Sequence, residues 1–150
     1  MPEYIGNSVK RVEDRRFTTG RGTYTDDIVL PNMTHAVIVR SPHAHARINS
    51  IDTQPALDHE GVVAVFTGQD MKDDGINPIP TGWQIGEEMK EPPHWPLAVD
   101  KVHHVGDGVA VVIAETKAAA QDAAELVAVE YDVQDAVADV QQALEEGAPL

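Results

Sequence analysis

The sequence predicts a single α+β domain over residues 1–150, and three observations lead to that prediction. The chain has 150 residues, the length of one domain, and 42% of them are apolar, which is enough for a core. Segments of strand type alternate with two main short helices, in the order β-α-β and then β-β-α-β, which indicates a mixed sheet. Between these halves, residues 68–96 predict one long irregular loop, because proline and glycine recur throughout them.

The first 33 residues are predicted to be mostly loop. Gly20, Gly22 and Pro31 interrupt any regular pattern there. Residues 23–25 are a possible edge strand.

The first half of the domain is predicted from β-branched residues and helix signals. Residues 34–40 and 62–66 are β-branched and apolar, and residues 46–51 alternate isoleucine with polar neighbours, so all three are predicted strands. Thr53 and Pro55 are typical of a helix start, and Gly61 of a helix end.

The second half follows the loop with the same kinds of signal. Thr116 is a predicted N-cap for an alanine-rich helix over residues 117–127. The predicted strands are residues 96–99, 102–105, 109–114 and 128–131, and a short terminal helix is predicted over residues 140–146.

Composition and charge exclude several classes of function. The net charge is −14, which disfavours nucleic acid and anionic lipid surfaces as partners. With no cysteine, the chain has no disulfide, thiolate metal site or cysteine nucleophile, which fits a reducing compartment. No apolar run is long enough to cross a bilayer and no signal peptide is recognisable, so a cytoplasmic protein is expected. Basic residues cluster in the first third, where Arg11, Arg15, Arg16 and Arg21 either meet an acidic surface or are solvated.

Residues 40–48 (Arg-Ser-Pro-His-Ala-His-Ala-Arg-Ile) carry the strongest candidate site. In an extended chain His43 and His45 would share one face, because side chains repeat every second residue. Such a face is suited to a metal ion, an anion or another protein surface. Arg40 and Arg47 flank the pair, and a packed or interface role is favoured over a metal site. The interface candidates are Arg40, His43, His45, Arg47 and Trp83.

The remaining motifs are weaker. Gly20-Arg21-Gly22 lacks the strand, third glycine and helix of a dinucleotide loop, and Gly106-Asp107-Gly108 is predicted to be a turn. His103 and His104 are adjacent, so in a strand they would point to opposite faces and could not serve one site.

Both tryptophans lie in the predicted loop, where they are either interface anchors or plugs for the domain's own core. The core role is favoured for Trp95, which precedes a predicted strand.

Taken together and in order, several segments resemble a known family. They are Val9-Lys10-Arg11-Val12-Glu13-Asp14, Thr19-Gly20-Arg21-Gly22-Thr23-Tyr24-Thr25-Asp26-Asp27, Leu30-Pro31, residues 40–48, Gly61-Val62-Val63-Ala64-Val65-Phe66-Thr67-Gly68, and residues 105–115 with the alanine-rich helix that follows. The chain resembles the N-terminal α/β hammerhead domain of the aldehyde oxidase and xanthine dehydrogenase family. It is most similar to the molybdenum-binding large subunit of carbon monoxide dehydrogenase-type enzymes, from Ile5 to about Leu144.

The resemblance implies a fragment of a much longer large subunit. Family members hydroxylate aldehydes, heterocycles or purines, or oxidise carbon monoxide, at a molybdenum–pterin centre holding molybdopterin cytosine dinucleotide. Electrons pass through two 2Fe–2S clusters to FAD in partner subunits or fused domains. The expected partners are therefore the downstream molybdopterin-binding domains of the same subunit and the FAD and iron–sulfur subunits. The family's cofactor motifs lie downstream, so no catalytic, cofactor-binding or metal residue is expected here, and this fragment alone is not expected to be an enzyme.

Two alternatives remain open at this point. One is a free-standing interaction or carrier module, although no lysine stands in an exposed hairpin of the biotinyl type. The other is a small metal-binding protein that uses His43 and His45 with acidic loop residues.

Overall fold

The computed structural model describes residues 6–83, 86 and 88–149. The chain divides into two compact units, Met1–Met33 and Thr34–Leu150. Each unit is described by itself.

The first unit contains one short helix and one 3₁₀ turn. Helix α1 spans Asp14–Thr18, where a loop was predicted. Residues Thr25–Asp27 form the 3₁₀ turn, so the predicted edge strand at 23–25 is wrong. The Asp27 carboxylate accepts a hydrogen bond from the Tyr24 N–H at 2.9 Å, and this local bond competes with strand pairing. None of the described residues of this unit is buried.

The second unit holds six strands in two three-stranded sheets. The strands are β1 His35–Arg40, β2 Ala46–Asp52, β3 Val62–Thr67, β4 Lys101–Val102, β5 Gly108–Ala114 and β6 Ala128–Val133. The first sheet has the order β1-β5-β3 and the second has the order β4-β2-β6. Every described pairing is antiparallel, which differs from the mixed sheet predicted. The α+β class is confirmed.

Three helices belong to this unit: α2 Gln54–Leu57, α3 Gly68–Asp73 and α4 Lys117–Ala124. Of these, α2 and α4 are the two main helices that the sequence predicts. The predicted cap of α4 is confirmed, since the Thr116 hydroxyl accepts a hydrogen bond from the Ala119 N–H at 3.1 Å. Thr53 makes no such cap for α2. The Asp52 carboxylate accepts from the Gln54 N–H at 3.0 Å instead.

Two core clusters lie on the inner sides of the sheets. In the first, Ala110 and Val112 of β5 pack with Ala56, Ala123 and Val127, which places α2 and α4 against the first sheet. The second consists of Ala46, Ala98, Val102 and Val109. A register shift between Val39 and Arg40 turns β1 as it approaches the second sheet.

The loop prediction is wrong at its start and stops short of the loop's end. Helix α3 occupies residues 68–73, and the described residues between 74 and 100 are irregular apart from one bridge between Ile79 and His94. Residues 84, 85 and 87 of the predicted loop lie outside the described residues. Residues 96–99 are not a strand. The Leu97 and Ala98 carbonyls lie against Gly68, and the Ala98 N–H makes a single bond to the Gly108 carbonyl of β5 at 2.7 Å.

Two further elements are shorter than predicted. The strand expected at 102–105 is limited to β4, because the chain turns at residues 103–107. The helix expected at 140–146 is a 3₁₀ turn at Gln142–Leu144. No helix in the described ranges is long and apolar enough to cross a membrane.

Candidate functional site

The chain passes from the first sheet to the second through residues 41–45, the centre of the candidate site. Ser41 is buried, and its hydroxyl both accepts from the His43 N–H at 3.0 Å and donates to the His43 carbonyl at 3.1 Å. Its backbone N–H donates to the Asp107 carbonyl, and its carbonyl accepts from the Gly106 N–H, each at 2.8 Å. These bonds tie the connection to the turn at residues 103–107.

The two arginines of the candidate site lie in different sheets. Arg40 ends β1, and its Nη1 donates to the Gly106 carbonyl at 2.8 Å. Arg47 is exposed on the outer side of β2, in register with Asp132 of β6. Arg40 therefore supports a turn, and Arg47 remains available to solvent or a partner.

His43 and His45 do not stand on one strand face, because residues 41–45 form bends rather than a strand. His43 is half-buried and meets Tyr131 edge to face, with ring centroids 5.0 Å apart. Burial raises the pKa of the Tyr131 hydroxyl, the Asp107 charge raises it further, and a hydrogen bond with Ser41 lowers it. Tyr131 is therefore a neutral packing partner for His43.

His45 is held by a backbone carbonyl from the segment that follows β6. Its Nδ1 lies 2.7 Å from the Asp135 carbonyl oxygen. Because a carbonyl oxygen can only accept, this hydrogen bond requires the imidazole proton on Nδ1. The ring also stacks on His103, with centroids 6.2 Å apart.

Asp107 contacts the backbone of His103 and the imidazole of His104. It is 7% exposed, and its Oδ2 accepts from the His103 backbone N–H at 3.0 Å and lies 3.8 Å from the His104 Nδ1. The prediction that the two imidazoles point to opposite faces assumed a strand, but both histidines lie on a turn, where alternation does not apply. Sequence reasoning missed this role of Asp107 because a lone aspartate between two glycines signals only a turn.

Burial lowers the pKa of His103 from its ordinary value of 6.5. The Asp107 charge acts in the opposite direction, and Lys101, His45 and His94 lower the pKa further. His103 therefore favours its neutral form.

Two clefts adjoin this histidine cluster, which consists of His45, His103 and His104. The larger, of about 450 Å³, is lined by the cluster and by mainly apolar residues, among them Val105 and 136–138. The smaller, of about 220 Å³, lies between His103, His94 and the half-buried Trp95. Both are open grooves.

A metal site would require several of these side chains to converge on one point. Within residues 6–83, 86 and 88–149, no three His, Asp or Glu side chains come together closely enough to hold a metal ion. His43 packs against Tyr131 and His45 stacks on His103, so the two imidazoles have different partners.

Trp83, the last interface candidate, is 79% exposed. Trp83 is therefore not part of the core, and an exposed tryptophan is typical of an interface. Trp95 instead places its ring 6.0 Å from the Lys72 ammonium.

The first unit has a basic surface of its own. Arg15, Arg16 and Arg21 line a groove of about 590 Å³ with Val12 and Thr19. Arg11 is paired with Asp14, its Nε lying 3.2 Å from the carboxylate.

The fold and the site define an α+β domain with two antiparallel sheets, whose buried polar groups are bonded to its own turns. This chain belongs to the family described as aldehyde oxidase and xanthine dehydrogenase, a/b hammerhead domain, whose model matches residues 19–135.

The relatives of this chain are much longer proteins. It is 42% identical over 146 residues to the carbon monoxide dehydrogenase large chain of Afipia carboxidovorans, covering 97% of this chain and 17% of that one. It is 36% identical to the xanthine dehydrogenase molybdenum-binding subunit of Escherichia coli O157:H7, covering 93% of this chain and 19% of the relative. The crystal structure of quinoline 2-oxidoreductase from Pseudomonas putida 86 superposes with a TM-score of 0.83 at 42% identity, over 93% of this chain and 18% of that chain.

Proposed function

We propose that this chain is a structural and assembly domain in the large subunit of a molybdenum hydroxylase. The parent protein is an oxidoreductase similar to carbon monoxide dehydrogenase, aldehyde oxidase and xanthine dehydrogenase. One observation carries the proposal: the relatives contain nearly all of this chain, while the chain spans less than a fifth of each of them. Under this proposal the catalytic residues belong to other parts of the intact subunit, and the domain alone is not an enzyme.

The cofactors are proposed to lie outside this domain. One relative is named as a molybdenum-binding subunit, which supports a molybdenum–pterin group, as molybdopterin cytosine dinucleotide, in the intact subunit. The larger cleft beside the histidine cluster does not fit that anionic group well. Neither lysine nor arginine lines the larger cleft in the part of the chain that the structure describes, and burial favours neutral His103. FAD and 2Fe–2S clusters are proposed for partner subunits.

The proposed partners are the downstream molybdopterin-binding domains and the FAD and iron–sulfur subunits, in a cytoplasmic enzyme. Arg47 and Trp83 are the best placed of the interface candidates: both are exposed, whereas the guanidinium of Arg40, also exposed, donates to the Gly106 carbonyl. An exposed guanidinium is a good partner for a carboxylate or a backbone carbonyl on an adjoining domain. Arg40, His43 and His45 contribute indirectly, by holding the connection between the sheets.

The proposal is tested by charge reversal at Arg47 in the intact large subunit, expressed with its partner subunits. The Arg47→Glu variant is expected to reduce the yield of assembled complex about tenfold, because it replaces an attractive interface charge with a repulsive one. Gel filtration measures the assembled fraction, and elemental analysis of the same fractions measures molybdenum.

Two further variants isolate the cause. Arg47→Gln removes the charge without placing a second carboxylate opposite Asp132, and Lys117→Glu makes the same charge change at an exposed position on α4. Arg47→Gln should weaken assembly, whereas Lys117→Glu should not. Normal assembly of both Arg47 variants would contradict the interface, and an intact gene product without molybdenum would contradict the proposed function.

A further inference from the structure

We propose that the outer face of the β1-β5-β3 sheet docks onto an apolar surface elsewhere in the same large subunit. This proposal rests on the proposed function, because it requires a subunit that extends beyond this domain. The outer sheet face consists of Ala36, Ile38, Ala64, Phe66, Val111 and Ile113.

The strand register defines this face. Ile38 of β1 stands opposite Val111 of β5, which in turn stands opposite Phe66 of β3. The next row is Ala36, Ile113 and Ala64, paired in the same way. Because successive strand residues point to opposite sides, both rows face away from the side that α4 covers.

The outer sheet face is apolar and accessible. Ile38 is 44% exposed and Phe66 is 39% exposed, while Val111 between them and Ile113 in the next row are half-buried. Val63, at the register shift in β3, is also exposed. Single exposed apolar side chains are ordinary, but two complete rows across three strands form a contiguous patch, and such patches mark interaction sites.

The second sheet of the same domain provides the contrast. On its outer side Arg47 is in register with Asp132, and Ser50 with Glu130. The Ser50 hydroxyl donates to the Glu130 carboxylate at 2.9 Å. That sheet follows the usual pattern of an antiparallel sheet with one face in water, and the first sheet does not.

The length of the relatives and the net charge of this chain indicate which surface covers the outer sheet face. More than four-fifths of the relatives' length lies outside the segment that this chain matches, so the family's subunits have ample chain to cover the face. The six side chains offer no charge and no hydrogen bond, so the complementary surface must itself be apolar. A second copy of this chain is a poorer occupant, because each copy carries a net charge of −14.

The test is cysteine labelling, which this chain permits because it contains no cysteine. Ile38→Cys and Val111→Cys variants are made in the intact large subunit and in the 150-residue chain, and maleimide modification of the corresponding peptides is followed by mass spectrometry. Lys117→Cys, at an exposed position on α4, is the control. Both outer-face variants should react at least about tenfold more slowly in the intact subunit than in the short chain, with a much smaller difference for Lys117→Cys.

The other outcomes overturn the proposal in distinguishable ways. Equal reactivity in both proteins means that nothing in the subunit covers the face. Protection that requires the added partner subunits assigns the face to another chain, and protection in the short chain with dimeric sedimentation assigns it to a second copy. If the intact subunit holds molybdenum while the Ile38→Cys variant reacts freely, the docking proposal is wrong and the proposed function is not contradicted.

Discussion

Asp107 determines the arrangement of the histidine cluster. Its carboxylate accepts from the His103 backbone and lies beside the His104 imidazole, and its carbonyl accepts from the Ser41 N–H. A nearly buried carboxylate is stabilised by such charge-assisted bonds. The carboxylate thus fixes the turn after β4, and the backbone carbonyl of the same residue joins that turn to the connection between the sheets.

At the residue scale, local interactions were predictable and distant ones were not. The Thr116 cap follows from four consecutive residues, so the sequence shows it. The stacking of His45 on His103 joins two segments far apart in the chain, and neither segment contains a signal for the other. The candidate residues were therefore found individually, while their partners Tyr131, Asp107 and Asp135 were missed.

The lowered pKa of His103 predicts a loss of stability in mild acid. The unfolded chain takes up a proton on this imidazole near pH 6.5, whereas the folded protein takes it up only at lower pH. Its contribution to the free energy of unfolding is therefore complete above pH 6.5 and is lost as the pH falls through the folded-state pKa. Urea denaturation of wild type and His103→Gln between about pH 7.5 and about pH 5 should show a smaller loss of stability in the variant.

His59→Gln is the control for this experiment, since it removes an imidazole outside the cluster. An unchanged pH dependence in His103→Gln would show that burial of this histidine does not oppose protonation.

At the element scale, strands were predicted best because β-branched residues concentrate in them. Residues 35–40, 46–52, 62–67 and 108–114 all lie close to their predicted bounds. Helix α3 was missed although its start carries a recognisable signal. Thr67 and Asp70 form a reciprocal capping box, in which the Thr67 N–H donates to the Asp70 carboxylate at 2.7 Å and the Thr67 hydroxyl accepts from the Asp70 N–H at 3.4 Å. The glycine between them weakened the helical pattern.

That glycine has a structural reason, which leads to a prediction. A Cβ on Gly68 would lie 2.6 Å from the Leu97 carbonyl oxygen and closer still to that of Ala98. Gly68→Ala should therefore lower the free energy of unfolding by about 1–3 kcal/mol, because backbone atoms must move. Urea denaturation measures the loss.

Gly82→Ala is the matched control, because nothing lies within 4 Å of the added Cβ. Its effect should stay within about 0.5 kcal/mol. Equal stability of Gly68→Ala and wild type would show that the segment at residues 97–98 is not packed against α3.

At the scale of the whole molecule, the two units differ in how much they bury. Both core clusters are built only from residues of the second unit. In the first unit large apolar side chains are exposed, including Val12 and Val29. The second unit is thus the part of the chain with a hydrophobic core of its own.

Removal of residues 1–33 should therefore leave the remaining domain folded, with a melting temperature within about 3 °C of the full chain. Circular dichroism melting of the two proteins measures this. A much larger decrease would show that the first unit contributes to the stability of the second.

The sequence by itself determined the α+β class, the positions of the main strands and the likeness to the hammerhead family, because these depend on local composition and on the order of short segments. Only the tertiary structure decided that the strands form two antiparallel sheets, that Asp107 gathers His103 and His104, and that one sheet presents an apolar outer face. Each of these depends on strand register and on contacts between distant segments. A shift of one residue in register reverses which side chains face water, and local sequence does not specify that choice.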